Sequence, residues 1–426
     1  MTNLGISAKP NKNFNKNLEA LRGFAALFVA ISHIEVFSKI FNGTYTPTVL
    51  VILAPAGHLS VLVFFVLSGY VIAASNKNIL NRQTTGAYIK KRFLRIYPIY
   101  TISILLILVS TANNYSVGYI LLNFLMLQPL LIASFIENGP AWSLHFEVLY
   151  YILFIPFSRF RINPLAILII SIVIALVNYA LYPNPNTPII SSYLFGLSFW
   201  IAGVLIAKSA SQETKEGSYK TLISVLFLLL SVDRLLSKSG LPMLPDNIAL
   251  LVFHKHLLYP AIDLGKILNT YRDLAFLPYC IYFVLTFSGQ KFKYQKLFYM
   301  LIQAPLVLAL VLTIGDFVSG RPDKNMGSFL INVGYYCIGV LLPFLNSTRL
   351  ERLAERVINF GAWLGSISYA VYIVHCPVIF ALGRLKGFSN TPVTFVVKFM
   401  LFLIIVTGIS YLLERKFQPF VKKMLA

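Results

Sequence analysis

Long apolar runs separated by short basic loops organise this chain. Stretches such as FVLSGYVIAAS and PLAILIISIVIALVNYALY are continuous and do not alternate with polar positions. About 20 apolar residues span a bilayer as a helix, whereas barrel strands are shorter and alternate. The pattern predicts spans over 19–40, 58–76, 95–112, 141–157, 164–182, 190–208, 219–236, 274–288, 296–316, 328–345, 360–384 and 393–413. The expected fold is therefore all-α, a polytopic transmembrane helix bundle of about 10–12 spans.

Loop charges orient the bundle. Lys9, Lys12 and Lys16 precede the first span, and further basic clusters lie at Lys90 to Arg95, Arg159 and Arg161, Lys208 to Lys220, Lys291 to Lys296, Arg349 to Arg356, and Arg415 to Lys423. Cytoplasmic loops are enriched in Lys and Arg, so all of these clusters share one side if both termini are cytoplasmic. Residues 118–136 are apolar enough to cross, but a crossing there would invert every later loop. They are expected to form a re-entrant or interfacial segment on the outer side, interrupted at Gln128-Pro129, as cavity-lining backbone is allowed to do. The stretch 247–272, with His254, Lys255, His256, Lys266 and Arg272, reads as an outer-face amphipathic insertion. A polar cytoplasmic N-terminus (1–17) and a basic cytoplasmic tail (418–426) then flank one membrane domain over 18–417.

Composition agrees with lipid as the solvent. The chain is 57% hydrophobic and 12% charged, against about 25% charged in soluble domains. Mean hydropathy is +0.74. The net charge of +21 would suggest nucleic acid in a soluble protein. In a membrane protein it follows from the positive-inside bias and anionic headgroups, with a phosphorylated substrate as the alternative, and no nucleic-acid partner is expected. Cys280, Cys337 and Cys376 lie in apolar stretches without a CxxC pair, so buried small hydrophobes are expected, with no disulfide and no metal site. The polar start has no cleavable signal pattern, and an integral protein of a bacterial-type inner membrane is expected.

Ionisable residues inside spans are candidates for function. Arg22 and His33 in the first span are eleven residues apart. That spacing returns to nearly the same helix face, roughly 16 Å further along the axis. Arg22 should lie at the cytoplasmic surface and His33 above it near mid-membrane, while Glu35 faces away. Ser68-Gly69 reads first as a close helix contact. Arg92 and Arg95 share a face at the start of the third span, where paired guanidinium groups suit a phosphate or simply mark the inside. Glu147 lies about two turns into the fourth span, after Trp142, Ser143 and His145 at the interface, and a buried carboxylate needs a partner. His375, before Pro377, reads as a second intramembrane histidine or as one bonded to a freed carbonyl. Glu414, Arg415 and Lys416 read as helix-end charges. No Walker loop, HExxH or GxSxG occurs.

Five blocks occur in order: Arg22 with ten residues before His33; GHLSVLVFFVLSGY; Arg92 and Arg95 followed by IYPIY; WSLHFEVLYY with Glu147; and LGSISYAVYIVHCPV followed by ISYLLE. Together they resemble the acyltransferase 3 family of membrane proteins. The resemblance implies a core of about ten helices that takes an acyl group, usually acetyl, from coenzyme A, and passes it to a sugar of a surface glycan or lipopolysaccharide. Carried onto this chain, it implies an essential His33, a functional Glu147, and donor-side Arg22, Arg92 and Arg95. Trp142, Ser143 and His375 are supporting candidates. Acetyl-CoA or another acyl-CoA would be a co-substrate and no cofactor is bound. The expected partners are the acyl-CoA, a glycan or lipid-linked saccharide, and membrane lipids.

Histidine suits general-base chemistry near neutral pH. On this reading His33 deprotonates a sugar hydroxyl that attacks the thioester, and Glu147 orients His33 or stabilises its protonated form; a covalent acyl-histidine is the variant. The competing class is a transporter or flippase for a lipid-linked glycan. Such proteins often carry internal repeats, and none is visible here.

Overall fold

A computed structural model describes residues 12–48, 56–110, 114–128, 130–181, 189–209, 217–253, 256–257, 269–292, 294–319 and 326–425. The described residues form helices and no strands. The elements are α1 (Lys12–Val36), α2 (Ser38–Asn42), α3 (Gly57–Ser75), α4 (Arg82–Ser110), α5 (Val117–Phe124), α6 (Trp142–Arg159), α7 (Pro164–Leu181), α8 (Ile189–Lys208) and α9 (Tyr219–Ser239). They continue as α10 (Leu244–Phe253), α11 (Leu277–Ser288), α12 (Gln295–Val318), α13 (Met326–Leu341), α14 (Thr348–Gly365), α15 (Ser368–Gly383), α16 (Pro392–Leu412) and α17 (Gln418–Met424).

Helix ends follow local chemistry. Ser116 caps α5, Ser347 caps α14 and Thr391 caps α16, each hydroxyl accepting a backbone N–H of the first turn. Gly240 closes α9 in the left-handed region, at φ 76°, which suits glycine.

Burial separates a centre from a lipid-facing rim. The apolar windows of α3 and α8 are 67% and 72% buried, against 22% for both α7 and α12. The apolar side chains left outside, such as Ile169, Ile170, Val173 and Ile174 on α7, need hydrocarbon rather than water. At the centre α3 and α8 cross with almost no gap. A Cβ on Gly69 would fall 1.8 Å from the Trp200 carbonyl oxygen, and one on Gly203 would fall 2.0 Å from that of Val66. Small residues therefore set this crossing, as Ser68-Gly69 suggested. Around this pair, α1 packs on α3, α14 and α15, and α15 packs on α4 and α16.

Among the described residues, six helices are long and apolar enough to cross a membrane, or seven if the bent pair Phe329–Phe344 and Thr348–Gly365, which meet at 119°, counts as one span. This is fewer than the 10–12 expected. The other expected spans are too short, too charged or too polar to qualify by length and composition. α11 has 12 residues and α15 has 16, while α9 carries Lys220, Asp233, Arg234 and Lys238. The expected span 360–384 is broken at Ser366-Ile367, between α14 and α15. α14 begins TRLERLAER and leaves one charged side outward, so it lies along the bundle before the chain turns in.

The segment 118–136 does not cross. α5 ends at Phe124, and Met126 takes a positive φ of 55° before the chain folds back to a short 3-10 turn over Ile136–Ala141. Tyrosine hydroxyls satisfy its exposed carbonyls: Tyr97 donates to Phe124 O at 2.6 Å, and Tyr100 to Asn123 O at 2.7 Å. Pro129 lies outside the described residues. Of the expected insertion over 247–272, Leu244–Phe253 is helical, and residues 254–255 and 258–268, which include His254, Lys255 and Lys266, lie outside the described residues. Two boundaries shift. α1 starts at Lys12, inside the expected polar N-terminus, and Gln418 of the expected tail is buried, donating to Arg95 O at 2.8 Å. Cys280 and Cys376 are buried as expected, but Cys337 is exposed on α13; all three are free thiols.

Candidate active site

A cavity of about 1710 Å³ lies among α1, α3, α4, α6, α8 and α15, larger than the ~300–1,000 Å³ of ordinary small-molecule sites. Its lining runs along α3 from Val61 to Asn76, roughly 22 Å of helix. At one end it is bounded by Arg22, Lys77, Arg92, Arg95, Arg161 and Lys208, all from the basic side of the bundle. Three predicted donor residues therefore share one mouth.

Their environments differ. Arg22 is paired to Glu19 at 2.8 Å. Arg95 is paired to the buried carboxylate of Glu414 at 2.6 Å, donates to Gln418 at 3.2 Å, and lies 5.5 Å over the Tyr369 ring. Glu414 is thus no helix-end charge but the counter-ion of Arg95. Arg92 packs between the rings of Tyr88 and Tyr151, at 5.7 and 5.8 Å. Its Nε is buried with no hydrogen-bond partner among the described residues. Of the three, Arg92 alone has no carboxylate bound to it among the described residues, so its charge is the one best placed for an anion.

Deeper in the cavity Glu147 projects five residues into α6. Ser68 Oγ donates to its Oε1 at 2.7 Å, and the Tyr151 hydroxyl donates to the same oxygen. Trp200 Nε1 donates in turn to Ser68 Oγ at 3.3 Å. Glu147 is held for the cavity by α3, α6 and α8, and the structure does not bring it to His33 as its orienting partner. Ser68, read first as a packing residue, is also a ligand of this carboxylate.

Ser143 and Tyr372 form the far wall. Their hydroxyls are 2.8 Å apart, and Ser143 also donates to Pro140 O at 3.0 Å. Trp142 is buried rather than interfacial. Its ring stacks on His58 at 6.3 Å, and His58 Nε2 bonds Asp273 at 3.0 Å. His145 Nε2 bonds the Tyr193 hydroxyl at 2.6 Å and Nδ1 donates to the Met126 carbonyl, so His145 fastens the re-entrant segment.

His33 does not line the cavity. It sits in the last turn of α1, nearer the end opposite the basic loops than the mid-membrane depth expected. Its ring centre is 5.0 Å from that of His375, whose ring lies 6.2 Å from Tyr372 on the cavity wall. The two histidines thus lie one side chain beyond the cavity, behind Tyr372. Each directs Nδ1 at the carbonyl four residues back: His33 to Val29 at 2.9 Å and His375 to Val371 at 3.1 Å. A nitrogen facing a carbonyl oxygen carries the hydrogen, which leaves Nε2 of both rings with a lone pair. Nε2 of His375 is buried and has no hydrogen-bond partner among the described residues. The carbonyl it uses is that of Val371 and not Ile373, the one Pro377 leaves free. One ligating atom each from His33, His375 and Cys376 lies within 4.8 Å of the others.

Local spacing reveals only part of this. Glu147 and Tyr151 are one turn apart, so their contact is legible on a helix face. Ser68 with Glu147, Ser143 with Tyr372 and Arg95 with Glu414 are joined by tertiary packing across 79, 229 and 319 residues, and no sequence pattern pairs them.

Comparison with known proteins bears on the same residues. A family model described as an acyltransferase domain matches residues 15–232, just over half of the chain, and takes in Arg22, His33, Arg92, Arg95 and Glu147. The chain is similar to acyltransferase MdmB of Streptomyces mycarofaciens, 31% identical over 151 residues that cover 32% of this chain and 38% of that protein. It is also similar to "Protein 2 in picA locus" of Rhizobium radiobacter, 35% identical over 91 residues that cover 21% of this chain and 41% of the other. Each match thus spans about two fifths of the relative's own length. No solved structure matches the chain. The chain belongs to the acyltransferase 3 family and is an integral membrane protein.

Proposed function

We propose that this protein moves an acyl group, in the first instance acetyl, from cytoplasmic acyl-coenzyme A to a hydroxyl of a cell-surface or lipid-linked glycan, with His33 as general base. The observation that carries the proposal is the run of one cavity from three arginines to a wall backed by paired imidazoles. The phosphates of the donor suit the guanidinium groups at the mouth, above all Arg92. An extended thioester arm suits a cavity that follows α3 for most of its length. The thioester end of the donor passes Tyr372 to reach the imidazoles, and Nε2 of His33 takes the proton from the acceptor hydroxyl. The oxygen attacks the thioester carbon, the carbon–sulfur bond breaks, and the thiolate of coenzyme A leaves and is protonated.

The position of His33 near the far end of α1 suits a donor arriving from the basic side and an acceptor from the other. Glu147, fixed by Ser68 and Tyr151, is a cavity carboxylate that shapes the donor channel rather than a member of a triad with His33. Basic loops on one face support an inner-membrane protein with both termini cytoplasmic.

The test is incubation of purified protein with labelled acetyl-coenzyme A and hydroxyl-bearing glycans. Release of free thiol together with label on the glycan, both dependent on the acceptor, is the expected result. Folded protein that binds a lipid-linked glycan yet releases no thiol with any acceptor would instead favour translocation. A strain lacking the protein should lose acylation of one surface glycan.

A further inference from the structure

We infer that His33, His375 and Cys376 form a binding site for a thiophilic divalent cation, of which Zn2+ is the type. Three observations converge. One ligating atom from each residue lies within 4.8 Å of the other two. Both imidazoles spend Nδ1–H on a backbone carbonyl, of Val29 and of Val371, so the free nitrogens are Nε2. Fixing one ring nitrogen by a carbonyl is the arrangement that orients histidines as metal ligands. Finally, Nε2 of His375 is fully buried without a partner among the described residues, a costly condition that a Lewis acid relieves.

The geometry leaves a modest adjustment. Zinc binds imidazole nitrogen at about 2.0–2.1 Å and thiolate sulfur at about 2.3 Å. Ligating atoms that lie within 4.8 Å of one another must therefore draw together by at most about 1.5 Å. His375 and Cys376 are fixed within α15, so the half-buried His33 makes the adjustment, turning with its Nδ1 still on the Val29 carbonyl. On binding, the Cys376 thiol gives its proton to solvent and ligates as thiolate, and the two imidazoles ligate as neutral rings. The site then carries one net positive charge and keeps one tetrahedral position open.

Binding stands independently of the proposed reaction; its consequence rests on that reading. A cation on Nε2 of His33 occupies the lone pair that would accept the hydroxyl proton, so the metal is an inhibitor of acyl transfer.

The experiment uses full-length protein in detergent with any histidine tag removed, titrated with Co2+ and, separately, with Zn2+ followed by desalting and elemental analysis. Expected are one retained metal per chain and a cobalt–thiolate absorption band. Cys376→Ser should lose the band, and both it and His375→Ala should lower metal affinity by about tenfold or more. Cys280→Ser, which alters another buried thiol outside the cluster, should change neither. In metal-free buffer Cys376→Ser should transfer acyl groups as the wild type does, and with less inhibition by zinc. Failure of the wild type to retain metal, or retention unchanged in Cys376→Ser and His375→Ala, overturns the site. If metal is retained as expected but His33→Ala leaves transfer intact, the metal site holds and only the catalytic reading falls.

Discussion

Replacing Gly69 by alanine tests how the centre of the bundle holds the cavity. The added Cβ would lie 1.8 Å from the Trp200 carbonyl oxygen and 2.8 Å from its carbon, where ordinary contact starts at 3.4 Å. Both obstacles are backbone, so no side chain can rotate aside, and α3 and α8 must part by about 1.6 Å. The Trp200–Ser68 hydrogen bond, already 3.3 Å long, does not survive that displacement. Overpacking costs ~1–3 kcal/mol and the lost bond about 1 kcal/mol more. A total of ~2–4 kcal/mol corresponds to a drop of several degrees in Tm. A thiol-reactive dye reports the melt through Cys280 and Cys376, which are buried in the folded protein. Gly86→Ala is the control: no atom lies within 4 Å of its Cβ, it sits on exposed α4, and helix propensity favours alanine by about 1 kcal/mol. Gly69→Ala should also depress acyl transfer, because Ser68 loses its brace on Glu147. A Gly69→Ala protein that melts and turns over like the wild type would refute the reasoning.

Other residues give separable outcomes. Arg92→Ala should raise KM for acyl-coenzyme A by roughly 10- to 100-fold, from one charged hydrogen bond of ~1.5–3 kcal/mol, with a smaller change in kcat, measured by steady-state thiol release. Glu414→Gln should lower Tm by the loss of ~1–2 kcal/mol, less than the ~3–5 kcal/mol of a fully buried pair, because the Arg95 side chain is 32% exposed. Its KM for the donor should not rise, since Arg95 keeps its charge. Tyr372→Phe removes the hydroxyl bonded to Ser143, and should lower kcat while Tm moves by no more than about 1 kcal/mol worth; an unchanged kcat would remove Tyr372 from the path between cavity and imidazoles.

The fold was legible wherever solvent alone decides it. Most helices start and stop within a few residues of the apolar runs, because lipid demands an internally bonded backbone over each of them. The charge balance correctly kept 118–136 from crossing, and the tyrosines that seal its carbonyls explain how it folds back. The break between α14 and α15 was hidden, since Trp363 and Leu364 continue the apolar run while the backbone turns at Ser366-Ile367. In the site, residue type and depth singled out Arg92, Glu147, His33 and His375. Their pairing was not legible: helix periodicity aligned His33 with Arg22, yet packing delivers His33 to His375, on a helix 342 residues away. The same blindness turned Glu414 into a helix-end charge and joined Glu147 to a histidine, where Ser68 and Tyr151 hold it instead.

The central claim is that His33 carries the proton transfer in a donor cavity that stays intact without it. The most direct measurement is acyl transfer from labelled acetyl-coenzyme A to glycan by purified His33→Ala protein, alongside its melting temperature and its affinity for the donor. The account predicts a loss of kcat of at least about 10²-fold, with donor affinity and Tm close to wild type. Transfer at the wild-type rate by folded His33→Ala protein would contradict it.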